Sequence, residues 1–145
     1  MSAGIFFEDI EVGHEFEKIT KAPVTEVQLV KYAGASGDFN PIHTVHQVAE
    51  QAGLGGVIAH GMLIMGFVGQ AISTWIPHDC LNKFSVRFRG MTRPGDVITV
   101  SGKVTDKSSD GSVRSITCEV TAADQKGEAK IVGTMEAVLP SRDKV

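Results

Sequence analysis

Residues 32–46 read YAGASGDFNPIHTVH and place a carboxylate, Asp38, five positions before an imidazole, His43. On a regular helix that spacing does not bring two side chains onto one face, because helical neighbours stand three or four positions apart. The Asn40-Pro41 step breaks the helix between them, since the residue before a proline is pushed out of the α region. The chain can then fold back so that carboxylate and imidazole converge. Such a pair can hold one water between its members, an arrangement suited to moving protons near neutral pH. The plainer alternative is that Asp38 caps a turn and His43 is a packed or surface histidine.

His60-Gly61 opens an apolar run. A helix N-terminus there presents unpaired N–H groups and the positive end of a dipole, and a glycine lets a ligand approach the backbone closely. That geometry stabilises negative charge building up on a thioester or ester oxygen. A glycine that merely permits a tight turn and close packing is the competing explanation. Asp38, His43, His46 and His60 also offer the ligand types of a metal site, and His43-x-x-His46 has a short spacing. No HExxH or Cys/His pattern accompanies them, so no metal is expected. His46 reads as a loop residue, and His14 and His78 read as surface residues.

These groups need elements to position them. Thr25-Glu26-Val27-Gln28 fits a capping box with Thr25 as N-cap. Val27, Val30 and Ala33 follow at intervals of three, and Leu29 and Ala33 at four, which predicts a helix weakened beyond Gly34 and Gly37. A short helix over Gln47–Ala52, a turn through Gly53, Gly55 and Gly56, and an apolar helix from about Gly61 to Trp75 come next. Met62, Met65, Phe67, Val68 and Ile72 of that helix read as core first.

Beyond Leu81 the period changes to two. Phe84, Val86 and Phe88 alternate with Ser85, Arg87 and Arg89; Ile98 to Val104, Ile116 to Ala122 and Ile131 to Leu139 alternate likewise. Turn residues at Pro94-Gly95-Asp96, Asp110-Gly111 and Asp124 to Gly127 separate the runs. Four strands joined in succession predict an antiparallel meander, with one further strand near Phe16–Ile19. Helices first and strands after give an α+β domain, one long helix against a curved sheet.

Length and composition agree. The 145 residues suit one domain spanning residues 1–145, with no repeat or linker. Hydrophobic residues at 42% and charged ones at 21% exclude a disordered chain. A net charge of -3 argues against a nucleic-acid binder with a broad basic footprint. Cys80 and Cys118 make no disulfide framework or zinc spacing. The N-terminus carries Glu8, Asp9 and Glu11 and no basic signal-peptide region, which points to a cytoplasmic protein. Val57–Ile76 has the length of a membrane span, but His60 and Gln70 lie inside it and Pro77-His78-Asp79 closes it. A buried core helix is the expectation.

Together, Tyr32 to His43 and Ala59 to Gly66 resemble the MaoC-like (R)-specific enoyl-CoA hydratases and the related (3R)-hydroxyacyl-thioester dehydratases. Their motif is in essence YAxxSGDxNPIH, followed about fifteen residues later by AHGMLxMG. The convincing likeness covers residues 25–76, with a VRF-type segment at Val86–Phe88 downstream. The resemblance implies a hot-dog fold, a long central helix wrapped by a curved antiparallel sheet, and a homodimer or a pair with a related hot-dog subunit. It implies that Asp38 and His43 activate the water added to a trans-2-enoyl thioester, or removed in the reverse direction. The Gly61 N–H would bond the thioester carbonyl, with Asn40 and His60 in support. The substrate would be an acyl-CoA or acyl carrier protein thioester of fatty acid metabolism, with no cofactor, nucleic acid or membrane involved. Arg87 and Arg89 are candidates for its phosphate. Some short-chain relatives carry a serine where this chain has Gly69. Hot-dog domains also serve as acyl-thioester binding modules, non-catalytic partner subunits or thioesterases, and fold does not choose among them.

Overall fold

The computed structural model describes residues 4–143. The first and last few residues included in the expected single domain lie outside them. Helix α1 (Glu26–Ser36) starts where the capping box puts it: Thr25 Oγ1 accepts from the Gln28 N–H at 3.1 Å, and Gln28 Oε1 accepts from the Thr25 N–H at 3.4 Å. A cap of this kind stabilises a helix by about 1 kcal/mol. Gly34 is absorbed within α1, and Gly37, at φ 74°, ends it in the left-handed region. Leu29 and Ala33 face the core. Val27 and Val30 do not: they are 63% and 56% exposed.

A 3₁₀ turn over Pro41–His43 and helix α2 (His46–Gln51) follow. Helix α3 (Gly61–Trp75) has the expected bounds and buries Leu63, Ile64, Phe67, Val68, Ala71 and Ile72. Full burial of each larger one is worth ~1.5–3 kcal/mol. Among the described residues no helix is long and apolar enough to cross a membrane.

The sheet comprises β1 (Ile19–Thr20), β2 (Leu81–Phe88), β3 (Thr99–Asp110), β4 (Val113–Ala123) and β5 (Ala129–Val138) in the order β1-β3-β4-β5-β2, every pair antiparallel. The four-strand meander is therefore only a three-strand one. β2 pairs with β5 instead of β3, because residues 89–98 form a long strap across the fold rather than a hairpin turn. The strand expected near Phe16–Ile19 is split into an isolated bridge, Glu15 to Lys103, and the two residues of β1.

The register puts Val100, Val104, Cys118, Val120, Ala122, Ile131, Met135 and Ala137 on one buried face, which packs on α3. Gly102 lies on that face beneath Trp75; a Cβ there would come within 2.6 Å of the indole ring. The indole stacks on Phe16 at 5.1 Å and donates from Nε1 to the Glu17 carbonyl, closing the C-terminal end of α3 against the N-terminal segment. The result is the expected α+β hot-dog architecture, with the opposite end of α3 left for the residues of interest.

Candidate active site

The broken helix does bring the two groups together. Asp38 Oδ2 stands 3.9 Å from His43 Nε2. This is too long for a direct hydrogen bond, yet one water bonded to both atoms spans it. Asp38 accepts the Asn40 N–H on Oδ1 at 3.2 Å, and its own N–H donates to Ser36 Oγ. Asn40 accepts the Ile42 N–H on Oδ1, also at 3.2 Å, and its carbonyl accepts the His43 N–H. Asn40 thus shapes the turn that carries both members of the pair, and leaves Asp38 Oδ2 toward His43.

The tautomer of His43 follows from its other nitrogen. Nδ1 lies 2.7 Å from the Ile58 carbonyl oxygen, which can only accept, so Nδ1 bears the proton and neutral His43 presents a bare lone pair on Nε2. The side chain of His43 is 10% exposed and that of Asp38 is 53% exposed. The imidazole is held in protein, and the carboxylate meets solvent.

His60 supports both from behind. Its Nε2 donates to the Asp38 carbonyl at 3.1 Å, its ring stacks on His43 at 3.8 Å, and the Tyr32 ring meets it edge-on at 4.8 Å. Its Nδ1 is buried without a partner. Donor atoms of Asp38, His43 and His60 lie within 4.8 Å of one another, the separation a metal group needs. The two rings are stacked and only 22° from parallel, however, so their in-plane lone pairs lie in separate, nearly parallel planes and do not converge on one ion. His46, the remaining histidine of the metal reading, is elsewhere. It opens α2 and is no loop residue: its Nε2 bonds Glu26 at 2.6 Å and its Nδ1 accepts the Val57 N–H at 3.3 Å. His14 and His78 are exposed, as expected.

Gly61 is the first residue of α3, where the leading N–H groups have no acceptor within the helix. Close packing is one reason for the glycine. A Cβ on Gly61 would press to 3.0 Å from the Phe88 ring, and the same residue lines a cavity of about 200 Å³ beside His43. Ile58, Ile64, Phe88, Thr92 and Ile131 complete most of its wall. Gly69 lies further along α3, facing Phe84. Arg87 and Arg89 are not in this cavity. They flank Phe88 and line a separate groove of about 530 Å³ with Ser85, Glu119 and Thr134.

Two contributors escaped sequence reasoning. The Ile58 carbonyl is a backbone group, so no residue type betrays it. Thr92 lines the cavity and is 2% exposed, with its hydroxyl unpartnered; a threonine on an irregular strap gives no periodic signal. The cysteines offer no ready nucleophile: burial pushes the Cys118 thiol up to about 12, and burial together with Asp79 pushes Cys80 up.

Comparison with known proteins matches residues 8–126 to the MaoC like domain family. A 3-hydroxybutyryl-CoA dehydratase of Methylorubrum extorquens is 29% identical over 132 residues, covering 88% of this chain and 83% of that protein. An (R)-specific enoyl-CoA hydratase of Rhodospirillum rubrum is 29% identical over 140 residues, covering 94% of this chain and 93% of its own length. Among solved structures, an unliganded R-hydratase from Pseudomonas aeruginosa superposes with a TM-score of 0.81 at 26% identity, over 96% of this chain and 88% of that one.

Proposed function

The chain belongs to the MaoC-like domain family of hydratases and dehydratases, and from that premise we propose that it catalyses reversible hydration of trans-2-enoyl thioesters to (3R)-3-hydroxyacyl thioesters. The observation that carries this reading is the 3.9 Å gap between Asp38 Oδ2 and a bare His43 Nε2, beside the N-terminus of α3 and the mouth of an apolar cavity.

Asp38 and His43 hold the water between them. As its oxygen bonds C3, one of the pair takes a proton and the C2–C3 π electrons move toward the thioester oxygen. The Gly61 N–H and the positive end of α3 stabilise that enolate charge. A proton returned from the pair to C2 completes the addition of H and OH across the double bond. The reverse sequence expels water. Base, acid and oxyanion donor are all supplied by this chain, so the chemistry needs no metal or redox cofactor. His60 and Asn40 hold the pair in place.

The carrier is CoA or an acyl carrier protein, with Arg87 and Arg89 offered to its phosphates at the sheet edge. Phe39 beside Asp38, Met62 beside Gly61, and the cavity residues Phe88 and Met91 are exposed apolar side chains. We assign this rim to a second hot-dog subunit, a copy of this chain or a related one, in a cytoplasmic enzyme of fatty acid metabolism.

The direct test is crotonyl-CoA hydration followed by loss of enoyl absorbance, with chiral analysis of the product. Formation of the (3R)-3-hydroxy thioester is expected. Release of free CoA, read with a thiol reagent, would instead mark a thioesterase. Tight binding without turnover would mark a binding module or a non-catalytic partner.

A further inference from the structure

We propose that Arg93 is a positioning residue that keeps His43 in its reactive tautomer, acting through residues 54–60. The proposal deepens the hydratase reading, and only its kinetic consequence rests on that reading. The stretch between α2 and α3 has no regular secondary structure. Gly53, Gly55 and Gly56 adopt φ of 79°, 72° and 135°, backbone that glycine enters freely and holds weakly. Yet this stretch delivers the Ile58 carbonyl that fixes His43, then His60, then the Gly61 N–H.

What holds it comes from outside, nearly residue by residue. The Arg93 guanidinium donates from Nη2 to the Leu54 carbonyl at 2.5 Å and from Nη1 to the Gly56 carbonyl at 3.5 Å. The Val57 N–H reaches His46, the Ile58 N–H the Ile42 carbonyl at 3.2 Å, and the Ala59 N–H the Thr92 carbonyl at 2.7 Å. Thr92 and Arg93 are consecutive on the strap after β2, so the strap grips the stretch on both sides of Ile58. Arg93 is itself set in place: its N–H donates to Asp96 Oδ2 at 2.8 Å, and Asp96 Oδ1 accepts from Gln125 Nε2 at 3.1 Å.

The planar fork of arginine can serve two carbonyls at once, which a lysine ammonium cannot do with the same geometry. Without it the Leu54 and Gly56 carbonyls lose their donor and the glycine turn regains its freedom. The Ile58 oxygen then drifts from Nδ1, and the preference for a bare Nε2 weakens.

Arg93→Met and Arg93→Lys, with ¹⁵N-labelled histidine, test this at a pH above the imidazole range. Ring-nitrogen shifts distinguish the two neutral tautomers. The native chain should show His43 as Nδ1–H alone. Arg93→Met should show a mixture, Arg93→Lys a smaller admixture, and kcat on crotonyl-CoA should fall about ten- to a hundredfold with little change in KM. A single Nδ1–H tautomer with native kcat in folded Arg93→Met overturns the proposal, and if that variant does not fold, the same result in Arg93→Lys does so. A lowered melting temperature with tautomer and kcat unchanged also overturns it, since it marks a purely structural role. If the native chain hydrates no enoyl thioester, the proposed reaction fails while the tautomer measurement still decides the role of Arg93.

Discussion

Asp124 and Asp38 each face a cationic or basic partner, and they are used in opposite ways. Asp124, in the turn between β4 and β5, is buried with both oxygens engaged: Oδ1 accepts the Lys126 and Glu128 N–H groups at 2.9 and 3.0 Å, and Oδ2 faces the buried Lys130 ammonium at 3.3 Å. Asp38, with its side chain half exposed, spends only Oδ1 on the backbone and leaves Oδ2 3.9 Å from a bare ring nitrogen. The first pair has both carboxylate oxygens occupied, although Lys130 itself reaches the wall of the cavity beside His43. The second leaves a gap that one water bonded to both atoms would span. Unused hydrogen-bonding capacity at the mouth of a cavity, more than charge or burial, separates the pair proposed to react from the structural one.

The largest effect should come from attacking the open pair. Asp38→Asn and His43→Gln are each expected to lower kcat on crotonyl-CoA by about 10²–10⁴-fold, with the melting temperature near the native value. Native rates in either variant would remove the assignment. The sheet should respond in the opposite sense. Gly133 sits where a Cβ would meet the Ser85 carbonyl at 2.2 Å and the Val86 Cα at 2.9 Å. Both are backbone atoms, so Gly133→Ala is expected to cost ~1–3 kcal/mol or more in urea unfolding. An unchanged midpoint would show that β2 and β5 separate there easily.

Breaking the Asp124–Lys130 pair should cost less and act through stability. Asp124→Asn leaves buried Lys130 with only the exposed Glu128 carboxylate at 3.4 Å, and thermal unfolding should begin at lower temperature while any crotonyl-CoA turnover persists. The pH dependence sharpens the contrast. Burial pushes the Asp124 carboxyl up, but hydrogen bonds from the Glu128 and Lys126 N–H groups and from Lys130 outweigh it, and its pKa lies below the usual range. A group lowered in the folded state contributes stability that is fully present above its unfolded value, about 3.9, and is lost as pH falls through the folded one. The native chain should therefore lose stability below about pH 4 more steeply than Asp124→Asn. Parallel acid-unfolding curves would mean that Asp124 is as easily protonated folded as unfolded.

Much of this was legible beforehand where the signal is local. The Thr25 cap, the bounds of α3 and the alternation of β4 and β5 depend on residues adjacent in sequence, and they hold. The face of α1 did not come through: Val27 and Val30 satisfy helical spacing as well as Leu29 and Ala33, and only the position of the sheet decides which pair is covered. The place of β2 failed similarly. An alternating strand records which side is apolar, not which neighbour it pairs with, so joining it to β3 followed only from nearness along the chain.

At the site, residue types and the proline break determined that Asp38 and His43 can meet, because sterics before proline act over a single peptide bond. The fold decided the rest: which nitrogen of His43 keeps its proton, that His60 stacks behind it, and that Phe88 and Thr92 wall the cavity. Those facts depend on Ile58, fifteen residues away from His43, and on a strap more than thirty residues beyond it. Hydrogen bonds to backbone groups so distant are not marked by any residue type, and they exist only once the chain has closed on itself.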